Sequence, residues 1–187
     1  MSRLVVLAAV ALAVAIAVAP HMLSAQTPQP YAGLETRPIK ALSGQQIADL
    51  KAGRGMGLAL AAELNGYPGP THVLELADSL ALTEAQRAKM QALFESMKAE
   101  TVPLGEKLIA QETDLDKRFA DKTITEANLA AATQAIGATQ AALRAAHLKY
   151  HLATTKVLTL PQTARYAELR GYAGDAQPRH QPGSHQH

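Results

Sequence analysis

His147 and His151 stand four residues apart near the end of a long stretch rich in alanine and leucine. At helical pitch that spacing stacks two imidazoles on one face, which is half of a site for a divalent transition metal such as zinc, nickel or copper. Such an ion takes three or four ligands, so another segment must supply the rest. His72 and Glu75, on a short upstream segment with Asp78 just beyond, carry the right donor types. The plainer reading is a histidine pair on a solvated helix face, with His147 merely flanking Tyr150. His180, His185 and His187 belong to a polar tail, residues 172–187, expected to be disordered and able to hold metal only loosely.

Other chemistries find no residues to carry them. Acyl transfer needs an activated nucleophile, and the chain has no cysteine. Ser43 reads as a helix cap, Ser79 and Ser96 fall on helices, and Ser184 lies in the tail, none in the tight glycine-flanked turn of a hydrolase. A di-iron bundle requires Glu-x-x-His repeats, whereas His72-Val73-Leu74-Glu75 runs the other way and occurs once. Asp114 and Asp116 point to different helix faces. Gly53-Arg54-Gly55-Met56-Gly57 lacks the preceding strand and the spacing of a nucleotide loop. A formal net charge of +2 with both signs interleaved gives no basic face for nucleic acid. The expectation is a protein that is not an enzyme and requires no cofactor.

Helices must position these residues. Ser43 with Gln46 is a capping box, so a first helix is expected over Gly44 to Leu64, stopped by Asn65-Gly66 and Pro68-Gly69-Pro70. On it Gly53, Gly57 and Ala61 would form a small-residue stripe for close packing. Thr71 is expected to cap a short second helix, His72 to Leu80. Thr83 with Gln86 opens a third, on which Met90, Leu93, Phe94 and Met97 share one apolar face and Leu104, Leu108, Leu115 and Phe119 continue it. Pro103 should kink it. Thr125 with Asn128 opens a fourth, where Leu129, Ile136, Leu143, Tyr150 and Val157 recur every seventh residue, supported by Ala132, Ala146 and Ala153. Leu148 and Leu152 project to roughly the opposite face, which either the first helix or a second subunit must cover, and which could otherwise serve as a client surface. Thr159 with Gln162 starts a last short helix that ends at Gly171.

Arg3, the unbroken apolar run Leu4 to Ala19, Pro20 and Leu23-Ser24-Ala25 read as a signal peptide, residues 1–25, cleaved near Ala25. The run is short for a membrane span, which needs about 20 apolar residues. Export to the periplasm is expected, and without cysteine the stability there must come from helix packing. Residues 26–42, with Pro28, Pro30 and Pro38, are expected to form an extended arm, and residues 43–171 a single helical domain. Only 4% of residues are aromatic and none is tryptophan, a composition suited to slender, closely packed helices.

Leu-Thr-x-x-Gln occurs twice, at Leu82-Thr83…Gln86 and Leu158-Thr159…Gln162, with the long helices between the copies. Over Thr71 to Tyr172 this arrangement resembles the Spy/CpxP family of periplasmic stress proteins, whose relatives include metal sensors of the CnrX type. Residues 41–70 have no counterpart in the family's best-known chaperones. The resemblance implies an all-α fold, a long antiparallel helical hairpin with short flanking helices, assembled as a homodimer. It implies an ATP-independent chaperone or envelope-stress adaptor that binds unfolded or aggregation-prone envelope proteins, or a membrane signalling protein. The alternative it implies is a periplasmic heavy-metal sensor or resistance protein. Those sensors draw ligands from a histidine-bearing helix before the first motif and from the helix before the second, the regions of His72 and of His147 and His151.

Overall fold

The computed structural model describes residues 29–172. The segment read as a signal peptide and the tail histidines lie outside the described residues. Chain contacts divide at Ala32 and Gly33. Residues 29–32 form a turn of their own, in which the Ala32 N–H donates to the Gln29 carbonyl at 3.0 Å.

Residues 33–172 are all-helical. A 3-10 turn, Leu34–Thr36, precedes α1 (Gly44–Lys51), α2 (Leu60–Glu63), α3 (Pro70–Glu75), α4 (Glu84–Ala120), α5 (Glu126–Thr155) and α6 (Leu160–Leu169). Four of the starts are reciprocal capping boxes, at Ser43 with Gln46, Thr83 with Gln86, Thr125 with Asn128 and Thr159 with Gln162. In each, the hydroxyl accepts from the backbone N–H three residues on, and that residue's side chain accepts from the capping residue's own N–H. Both donors would otherwise go unsatisfied at a helix start.

The long helices α4 and α5 pack on each other over a seam that matches the seven-residue repeat at its centre. Ile136 and Leu143 are buried, whereas Leu129 is exposed. With Ile39, Leu42, Leu50 and Leu108 they form one apolar cluster. A second cluster joins Val73, Leu80, Leu82, Met90, Leu158 and Tyr166, tying α3, α4 and α6 together. Fully burying each such side chain contributes about 1.5–3 kcal/mol. α4 runs without interruption through Pro103. No helix among the described residues is long and apolar enough to cross a membrane.

The first expected helix is broken. α1 stops at Lys51 because Gly53, at φ +65°, closes it with a Schellman cap. The Gly53 N–H donates to the Leu50 carbonyl (3.1 Å) and the Arg54 N–H to the Asp49 carbonyl (2.9 Å). Met56 at φ +44° and Gly57 at φ +81° keep the chain irregular until α2. Gly53, Gly57 and Ala61 therefore share no helix face. Of those two glycines only Gly53 meets another helix closely, an added Cβ there lying 2.7 Å from Thr101 Oγ1, while a tighter approach of α1 to α4 lies at Gly105, whose Cβ would run into the Leu50 carbonyl. α3 likewise starts earlier than expected, with Pro70 in its first turn and no side-chain cap from Thr71, and ends at Glu75 rather than Leu80. Within the expected arm, residues 33–42 turn rather than extend, burying Ile39 and Leu42.

Candidate functional site

The two Leu-Thr-x-x-Gln copies meet. Gln86 Nε2 donates to Gln162 Oε1 at 2.8 Å and to the Val157 carbonyl at 3.0 Å. Gln162 Nε2 donates to Gln86 Oε1 at 3.0 Å and to the Leu80 carbonyl at 3.3 Å. Each Oε1 also accepts from its own capping threonine's N–H. Both amides thus use each group twice, and the arrangement locks the start of α4 to the start of α6. Leu82 and Leu158, the first residues of the copies, are buried beside it. The motif residues fix the frame.

On that frame α5 carries His147 and His151 inward, exposed by only 2% and 8%. Both rings open into a cavity of about 170 Å³, whose walls also include Glu63, His72, Met56 and Met97. His151 Nδ1 lies 2.6 Å from the Tyr67 carbonyl. A carbonyl only accepts, so Nδ1 carries a proton and donates it there. Gly69 makes room for that ring, since a Cβ there would lie 2.9 Å from His151 Nε2. His147 Nε2 is buried with no hydrogen-bond partner. Burial, then the neighbouring His151, push His147 below the ordinary imidazole value of 6.5. The ring is therefore neutral, the form in which imidazole binds a metal.

Behind His151 lies a buried carboxylate. Glu63, 8% exposed, accepts from the Tyr166 hydroxyl, from the Tyr172 hydroxyl at 3.2 Å and from the Gly69 N–H at 3.3 Å. Arg170 Nε stands 3.8 Å away and His151 Nδ1 3.7 Å away. Desolvation, then the bond to Glu63, hold the Tyr166 phenol far above its usual range. One acid thus joins α2, the turn before α3, α5 and α6.

The structure brings three of the four expected metal ligands, His72, His147 and His151, to one cavity. Glu75 is not on its wall. It accepts a hydrogen bond from His72 Nδ1 at 2.8 Å and lines the neighbouring groove instead. Asp78 pairs with Arg87. Among the described residues no three His, Asp or Glu side chains are gathered closely enough to hold an ion as they stand. Leu148 and Leu152 line a shallow apolar hollow with Ala61, Ala62 and Tyr67.

Sequence reasoning missed Glu63, Tyr67, Gly69 and Tyr166. One signal was present: Glu63 is the only acid between Asp49 and Glu75, inside an otherwise apolar stretch. No family model matches the chain, and neither a curated protein nor a solved structure proves similar to it.

Proposed function

We propose that this is a periplasmic metal-binding protein of the stress-response type, in which the cavity beside His147 and His151 takes a divalent transition metal ion. The observation that carries the reading is a pair of buried imidazoles lining one cavity, His147 neutral and without a hydrogen-bond partner at Nε2, His151 held at Nδ1 by the Tyr67 carbonyl. Metal-bound histidines characteristically donate their second ring N–H to such a carbonyl. The residues fit an ion by donor type. His147 and His151 would hold it, and His72, 40% exposed and bonded only to its neighbour Glu75, has the freedom to join them. The ion would act by cross-linking α5 to α3. Glu63 steadies His151 and the turn at Gly69 behind the site.

Calorimetric titration with zinc, nickel and copper tests this. Saturable binding in the micromolar range or tighter should disappear in His147→Ala/His151→Ala and weaken in His72→Ala, with circular dichroism unchanged. Binding indifferent to His147 and His151 would sink the reading.

A second reading rests on a different observation, the exposed apolar side chains Tyr67 and Leu152 at the hollow they form with Leu148, Ala61 and Ala62. Exposed apolar surface of that kind marks a protein contact. It supports a client-holding surface for unfolded envelope proteins, a membrane signalling partner, or the homodimer contact of an antiparallel hairpin fold like that of the Spy/CpxP proteins. Leu148→Ser/Leu152→Ser should lower protection of an aggregating client, or shift a dimer to monomer in sedimentation. Neither change would remove this reading.

A further inference from the structure

We propose a second binding site, away from the histidine cavity, that takes a free fatty acid: one alkyl chain ended by a carboxylate. A groove of about 570 Å³ lies between α1, the irregular residues 52–59 and α5. That size falls in the range of small-ligand pockets. Leu42, Leu50, Leu58, Leu108 and Leu143 line it, and its polar groups are few: Gln46, Gln140 and Arg144.

Two observations point to an occupant of this chemistry. The first is charge. Among the described residues no carboxylate lies within salt-bridge distance of Arg144, as is also true of Arg37, but Arg144 is the arginine that lines this groove, with Gln46 and Gln140. A guanidinium at the edge of an apolar groove, with two amides beside it, complements a carboxylate attached to a hydrocarbon. The second is Gly137. It is the only glycine in α5 and costs that helix about 1 kcal/mol relative to alanine. No neighbour requires it, because an added Cβ would meet nothing within 4 Å. Its effect is to leave the groove wall without a side chain.

Laurate is a suitable probe because it stays monomeric at useful concentrations. Titrated calorimetrically into the protein, it should bind saturably. Gly137→Leu fills the slot from a position with open space and should abolish binding while keeping or raising the melting temperature. Arg144→Gln, at an exposed site, should weaken laurate about tenfold, the loss of one charge-assisted hydrogen bond, and leave dodecanol unaffected. His147 and His151 are intact in both variants, so metal titration serves as the independent control. Three results would overturn the proposal: no saturable laurate binding, equal binding in Gly137→Leu, or binding of anionic phospholipid vesicles alone, which would make the face a membrane contact.

Discussion

Tyr166 and Glu63 permit a quantitative test of how the site is held. Tyr166→Phe removes a hydroxyl that donates to a carboxylate inside a protein wall where both residues are almost fully buried. A hydrogen bond to a charged group contributes about 1.5–3 kcal/mol, and the phenylalanine ring fills the same apolar space in the cluster with Val73 and Leu158. The expected loss on urea unfolding is therefore about 2 kcal/mol. Glu63→Gln keeps the shape but lowers the acceptor's charge for Tyr166, Tyr172 and the Gly69 N–H together, so its loss should be larger, about 3 kcal/mol. The double variant decides the matter. Once the phenol is gone, the carboxylate has less to hold, and the two losses should fall short of their sum by at least about 1 kcal/mol. Additivity to within about 0.4 kcal/mol would refute a direct Tyr166–Glu63 bond as the tie between α6 and the turn behind His151.

Three more perturbations read other parts of the molecule. Gln86→Ala removes one half of a capping box and the bonds to Gln162 and Val157; it should cost about 2 kcal/mol, and adding Gln162→Ala should cost much less than the first change, measured by chemical denaturation. Gly69→Ala places a Cβ within 2.9 Å of His151 Nε2 and should weaken zinc, nickel or copper binding while leaving the helix content unchanged. His147 should also make the metal-free protein acid-sensitive. Its folded value lies below 6.5, so the unfolded ring takes up a proton first as pH falls. The native state then loses up to about 1.4 kcal/mol per pH unit below 6.5, none above it, and His147→Phe should flatten that part of the melting profile.

The starts of α1, α4, α5 and α6 were legible because a capping box is local: four residues fix both partners, and no distant contact is needed. The apolar seam on α5 was legible for the same reason, as a period. What the sequence hid depended on meeting partners far along the chain. Glu63 looked like one polar residue on an apolar helix. Its burial depends on Tyr166 and Tyr172, more than a hundred residues later, supplying hydroxyls in a pocket that Gly69 opens. The reciprocal amide contact of Gln86 and Gln162 was equally invisible, since each motif alone is just a good cap. His72 and Glu75 read as a pair of ligands, yet their contact is with each other, because an i, i+3 spacing on a short helix satisfies them locally. The break at Gly53 was the avoidable miss. A glycine after an amphipathic turn is a stop signal, and the small-residue stripe read across it assumed a helix that the Schellman cap had already ended.

That break accounts for both proposed sites. A continuous helix from Gly44 to Leu64 would present a filled ridge of side chains to α4 and α5, leaving no hollow between them. Ending it at Lys51 replaces the ridge with the irregular residues 52–59. Met56 stands in the middle at φ +44°, a conformation costing an L side chain roughly 1–2 kcal/mol, and glycine would adopt it without strain. Met56 lines the histidine cavity and also the groove beneath Arg144. A flexible sulfur side chain on a strained backbone can serve both walls where a glycine would open one into the other. Ala81 and Lys122 adopt the same left-handed conformation in turns elsewhere, but Met56 is the residue with that conformation that borders both spaces.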